Sequence, residues 1–334
     1  MAGAPMPPDG APPPEVEIGH TRITVPVPRV LTPAERLWLG VRGAALLPIA
    51  LARARRLNVP GLRWHAVAMR LGLRLLARRT VRWQSLYRLM FFPLDSTRYF
   101  EFDFLGGAAE AGAAEAGAAC RYLDVSSPRL LPLGLLWERP GWSATLLNPH
   151  LPDLELTKAM AEGLGFGARC RTISSSIAEA PLEPGSFDLI TCMSVLEHIP
   201  RDGEALEAMW RLLRPGARLL LSVPCAARAF EQSIDRNEYG LLAPEADGFV
   251  FWQRFYDEDG LRARIFSVTG PPVRQAVYGE TEPGAFARNA QAKRSDPAYP
   301  FWREAVMMGR EYAVFPSVPA LPGEGVAAME LVKR

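Results

Sequence analysis

Lysine is almost missing from this chain: Lys158, Lys293 and Lys333 are the only three, against a combined lysine and arginine count of 38 in 334 residues. We read that as a compositional bias without functional weight. Cysteine is scarce and unpatterned. Cys120, Cys170, Cys192 and Cys225 show no CxxC spacing, and three of them fall in expected strands. Buried, reduced thiols are therefore expected, with no metal site and a cytoplasmic setting. An uninterrupted apolar run of bilayer length is lacking too. The stretch from Leu37 to Ala52 is broken by Arg42 and Pro48 and is expected to be too short to span comfortably. Residues 1–19 have no apolar core of the kind a secretory signal needs. Rich in proline, glycine and alanine, they are expected to form a disordered tail.

Acidic residues are missing from one block. Between Glu35 and Met90 twelve arginines face Glu35 alone, a local charge of +11 in a chain whose net charge is +2. A basic block on an otherwise acidic protein points to an anionic partner. Helices are expected from 33 to about 91, broken near Pro60-Gly61, in a basic helical N-terminal region over 20–105. Thr32-Pro33-Ala34-Glu35 has the form of a helix start, with proline at the first helical position and glutamate three residues after the cap. One reading makes these helices a cap on a catalytic domain, with solvated arginines. The other rests them, through residues 35–90, on an anionic membrane surface or uses them to clamp an anionic substrate. No nucleic-acid motif accompanies the charge, so nucleic acid is not the expected partner. Residues 106–118, where AAEAG occurs twice, read as an Ala/Gly/Glu linker, flexible or partly helical.

The most informative stretch is Gly185 to Cys225. Phe187–Cys192 is a short apolar run suited to a buried strand. From Arg201 to Leu213, apolar Leu206, Met209, Trp210 and Leu213 recur at helical spacing, and Pro215-Gly216 ends the helix. Arg218–Val223 is a second buried strand. Strand, helix, strand of this size is a right-handed parallel crossover. SFDLITCMSVLEHI followed by LLRPGARLLLSVP resembles the fourth-to-fifth-strand region of class I S-adenosylmethionine-dependent methyltransferases. The likeness is specific over about forty residues and extends more weakly from Tyr99 to Tyr256. It implies an α/β fold: a Rossmann-like, seven-stranded, mostly parallel sheet with helices on both faces, occupying 119–334 behind the N-terminal helical extension.

The resemblance also implies S-adenosylmethionine as cofactor and assigns residues. After the expected first strand (120–125) the family pattern has an acidic residue, then GxGxG, where glycine lets the backbone approach the cofactor. Here the run is Asp124-Val125-Ser126-Ser127-Pro128: the acid is kept and the glycines are gone, so serine side chains are expected in the space the cofactor approaches. Asn148 stands where an acidic residue usually accepts from the ribose hydroxyls. Ser176 and Ile177 stand where the adenine is held, and Ser194 follows the fourth strand. Two accounts fit these substitutions, a lost site or a variant one, and their small, polar character favours the variant. Glu197 and His198 are the candidate catalytic pair. His198 serves as a general base toward a hydroxyl acceptor, or the pair only caps the next helix. Arg98, Tyr99, Arg254 and Tyr256 are expected beside the substrate, with aromatic packing as the alternative for Tyr99 and for the last two. The function read from the sequence is methyl transfer to an oxygen or nitrogen of a small molecule or glycan, in the cytoplasm and at the inner membrane face. Its competitor is a non-catalytic binding or scaffold protein built on the same fold with an Arg-rich region.

Overall fold

The computed structural model describes residues 19–116 and 119–334, without side chains for 111–116. The expected disordered tail lies outside the described residues up to Gly19. Strand β1 (Gly19–Ile23) precedes four helices, α1 (Pro33–Arg56), α2 (Arg63–Arg78), α3 (Trp83–Phe91) and α4 (Arg98–Ala116). Then come β2 (Cys120–Val125), α5 (Leu130–Glu138), β3 (Trp142–Leu147), α6 (Leu151–Leu164), β4 (Cys170–Ile173), β5 (Phe187–Met193), α7 (Asp202–Leu212) and β6 (Leu213–Ala226). The remainder holds β7 (Phe230–Ile234), β8 (Val250–Phe255), the short α8 (Glu258–Leu261) and α9 (Ser267–Thr269), β9 (Arg274–Glu280), α10 (Ala285–Ser295), α11 (Glu304–Glu311), β10 (Tyr312–Phe315) and β11 (Glu324–Val332).

The main sheet has the order β10-β9-β11-β6-β5-β2-β3-β4. Strands β2 to β6 run parallel, and β11 lies antiparallel between β6 and β9. The expected seven strands are there, and an eighth is added: β10 pairs antiparallel along the outer edge of β9. It covers an edge that would otherwise offer unpaired backbone groups. The chain order reverses between β2 and β5, so ligands are expected at the carboxyl ends of the strands beside that switch. A second sheet, β1-β7-β8, joins the N-terminal strand to the segment after β6. There Gly19–Ile23 runs parallel to Phe230–Ile234.

One face of the main sheet carries a core in which Trp64, Leu71 and Leu75 of α2 and Phe102 and Leu105 of α4 pack with Tyr122, Leu131 and Leu146. The helical extension therefore shares its core with the sheet. Trp64 is fully buried, and its indole N–H donates to the Phe102 carbonyl. A Cβ at Gly106 or Gly134 would come within 2.5 Å of this ring. The low-complexity stretch, expected to be flexible or partly helical, is helical through Ala116, and Gly106 allows α4 to close on Trp64. The opposite face packs Leu123, Ile190, Leu206, Met209 and Leu221 beneath α7.

The β-branched and aromatic 266–269 stretch continues the helical turn after α8, tertiary packing overriding its strand propensity. The polar stretch 279–300 contains α10, which buries only Ala285 and so shows no apolar periodicity. Helix α1, expected to be too short for a membrane, is long and apolar enough to cross one by length and composition. Its start is as expected: Thr32 and Glu35 form a reciprocal capping box with Pro33 at the first position.

Candidate active site

The sheet ends at the switch point carry most of the residues singled out from the sequence. Ser126 follows β2 at φ +53°, the left-handed conformation a glycine would adopt there at lower cost. Its hydroxyl donates to the Leu147 carbonyl of β3, and its backbone N–H bonds the same oxygen. Ser127 turns the other way: its hydroxyl accepts from the Met193 N–H of β5 at 3.1 Å. Contrary to expectation, both serine side chains turn back onto the strands rather than into the space above the loop. The Ser126 and Ser127 N–H groups bond Leu147 and Asp124, and Pro128 has no N–H to offer. Asp124 is buried below. It accepts from the Tyr122 and Thr191 hydroxyls and from the Ser127 N–H, and burial pushes its carboxyl up to about 6. Its direct role is to hold the loop.

Asn148 ends β3. Its Oδ1 accepts from the His150 N–H at 2.8 Å, which leaves the amide N–H2 as its outward donor. Beyond β4, the Ser176 hydroxyl bonds the Glu179 carboxylate and Ile177 lies in the core with Leu147 and Ile173.

The other wall is built by β5 and α4. Ser194 leaves β5 at φ +47° and donates its hydroxyl to Glu101 Oε1 at 2.5 Å. Ser222 of β6 donates to the same oxygen at 2.6 Å, and Arg98 Nη1 bonds both Glu101 oxygens. Glu101 is fully buried. It pins the first turn of α4 across the ends of β5 and β6 and holds the partly exposed Arg98 at the mouth. Sequence reasoning missed Glu101; its one signal is the carboxylate three residues after Arg98 within an aromatic run. Glu197 is buried beside them, its Oε2 without a partner, and burial pushes its carboxyl up to about 8. At neutral pH it holds its proton. His198 Nδ1 lies 2.6 Å from the Trp252 carbonyl, an atom that can only accept, so Nδ1 carries the hydrogen. Burial lowers the imidazole to about 4, leaving it neutral, with Nε2 3.9 Å from Glu197 Oε1.

Above this floor lies an aromatic wall that sequence reasoning did not assign. Tyr239, from the long connection between β7 and β8, stacks on Trp252 at 5.9 Å. It also meets His150 at 5.6 Å and His198 at 6.3 Å. Arg294 of α10 sits over the Trp252 ring. Three residues expected beside the substrate do not reach the mouth. The Tyr99 hydroxyl contacts His65 Nε2 inside the helical core. Arg254 and Tyr256 are sealed against the buried Asp202 carboxylate, each at 2.8 Å. Of the four, Arg98 alone lines the site. A groove of about 460 Å³ bordered by Arg121, Arg169 and Arg171 opens at the opposite, amino ends of the strands and contains no expected site residue. Among the described residues there is no cluster of histidine, cysteine or carboxylate side chains that could hold a metal.

Residues 123–221 match the family model described as methyltransferase domain. The ubiquinone biosynthesis O-methyltransferase of Xanthomonas euvesicatoria pv. vesicatoria (strain 85-10) is 33% identical over 109 residues, which cover 30% of this chain and 44% of that protein. The protein of the same name from Xylella fastidiosa (strain 9a5c) is 32% identical over 106 residues, covering 31% and 42%. This chain therefore spans less than half the length of the curated relatives it matches. A solved structure of MccD protein aligns at 12% identity with a TM-score of 0.49, over 72% of this chain and 100% of that one. Matched segment and relatives agree with the strand order: residues 123–221 are similar to the methyltransferase domain of S-adenosylmethionine-dependent methyltransferases.

Proposed function

We propose that the protein transfers a methyl group from S-adenosylmethionine to an oxygen or nitrogen of a small-molecule or glycan acceptor, in the cytoplasm and at the inner face of the membrane. The relatives named above are O-methyltransferases, which favours oxygen. The observation that carries the reading is the convergence of the Ser126–Pro128 loop, Asn148, Ser194 and Arg98 on one mouth, with Glu197 and His198 at its floor.

S-adenosylmethionine is the family's cofactor, and the residues present fit it. Ser126 reproduces the left-handed glycine turn with its side chain tucked away. The Asn148 amide offers a donor where the family has an acceptor, and Arg98 keeps guanidinium donors beyond those used on Glu101. Ser126–Pro128, Asn148 and Ser194 would hold it; when bound, it supplies an electrophilic methyl group. The chain's own residues then have to orient the acceptor and take its proton. Most of the rate gain in such a transfer comes from alignment. Tyr239 and Trp252 wall the space above His198. His198 Nε2 receives the acceptor proton. A weakly basic imidazole suffices, because a hydroxyl becomes strongly acidic as its oxygen is alkylated.

Calorimetric titration of the purified, cofactor-free protein with S-adenosylmethionine and S-adenosylhomocysteine tests the site. Micromolar affinity, roughly −8 kcal/mol, is the expected outcome. No heat with either ligand, together with an unchanged melting temperature, would sink the catalytic reading and leave the binding or scaffold protein.

A further inference from the structure

Helix α1 is turned inside out. Its solvent side carries Leu37, Trp38, Val41 and Ile49, which are 70, 63, 57 and 53% exposed. Ala34, Ala45, Pro48 and Ala52 fill the gaps between them at helical spacing and are exposed as well. The side that packs on the protein buries only Gly43, Leu47, Ala50 and Ala54. Nearby, Trp83 of α3 is 58% exposed, on the same face of its helix as Tyr87, whose hydroxyl donates to the Gly40 carbonyl of α1. All twelve arginines of the basic block are exposed, and apart from Arg63 none pairs with a carboxylate among the described residues.

We infer that the outward face of α1 lies in the headgroup boundary of an anionic phospholipid bilayer, with Trp38 and Ile49 in the acyl layer and the surrounding arginines on the lipid phosphates. The inference rests on the membrane setting of the proposed function and gives it a contact surface. A long apolar stripe bordered by arginine and tryptophan is what an interfacial helix presents. A second copy of the chain is the poorer occupant. A two-fold contact would set the same basic patch against itself, whereas lipid phosphates neutralise it. Spanning is the poorer geometry. The strand before α1 pairs with β7 and the helix after it packs into the sheet core, so both ends belong to one body on one side of the bilayer.

The test is sedimentation of the full chain with vesicles of phosphatidylcholine, alone or with phosphatidylglycerol added, at low and high salt. The protein is expected to pellet with the anionic vesicles only, and less at high salt. The Val41→Asp/Ile49→Asp variant should bind about tenfold more weakly or worse with an unchanged melting temperature. If that pair unfolds, Trp38→Ser takes its place, with the same expectation. Equal pelleting with neutral vesicles, no pelleting, or pelleting indifferent to these substitutions would overturn the inference. So would a concentration-dependent dimer that the substitutions abolish in the absence of vesicle binding. S-adenosylhomocysteine titration of the same variants separates the two claims. Lost vesicle binding with retained ligand binding belongs to the surface alone. Vesicle binding without ligand binding leaves the surface standing and removes the methyl-transfer reading.

Discussion

Helices α1 and α2 come from one arginine-rich block, and they use their apolar residues in opposite ways. Helix α2 buries Trp64, Val67, Ala68, Leu71 and Leu75 and shows its arginines to solvent. Helix α1 shows solvent Leu37, Trp38, Val41 and Ile49 and buries Gly43, Leu47, Ala50 and Ala54. The difference teaches that amphipathicity fixes a helix's period and not which side faces the protein. In α2 the largest side chains are buried within the fold, with Leu73 and Leu76 left exposed; in α1 four large apolar side chains are left for another surface. Composition alone could not tell the two apart.

The sharpest way to break the contrast is at its buried end. Trp64→Ala should cost about 3–5 kcal/mol, read as a fall in the denaturation midpoint at constant slope. The ring is fully enclosed, with Gly106 and Gly134 pressed against it, so little collapse can refill the space. Next comes the tie between the helical region and the strand ends. Glu101→Ala removes the acceptor for Ser194, Ser222 and Arg98 and should cost about 3 kcal/mol, the low end for a broken buried pair because Arg98 is partly exposed. A Glu101→Ala protein as stable as the parent by chemical denaturation would refute that role. The smallest effect belongs to α1. Val41→Ser and Ile49→Ser should each leave stability within about 0.5 kcal/mol, and a larger loss would show that this face is covered within the protein.

The fold was legible where strands are buried on both sides. The runs CRYLDV, FDLITC and RLLLSV are short and mostly apolar, and each appears as a parallel strand of the main sheet. Capping chemistry at Thr32 was equally readable, since both partners lie within three residues. Legibility failed where the deciding partner is remote. Glu101 acquires its place from Ser194 and Ser222, 93 and 121 residues away. Arg254 and Tyr256 looked like acceptor contacts until Asp202 claimed both. Ser126 and Ser127 looked obstructive because a sequence does not give a hydroxyl's direction. Helix α10, polar on nearly all sides, has no periodicity to read.

The small sheet in which β1 runs beside β7 sets a clock on biosynthesis. Gly19–Ile23 pairs with a strand more than two hundred residues later, Phe230–Ile234. At a ribosomal rate of ~5–20 residues per second, β1 waits roughly 10–40 s for its partner to emerge. Throughout that interval α1, the next element in line, is already outside the tunnel with its tryptophan and arginines uncovered. Helix α1 is therefore made before any strand of the main sheet.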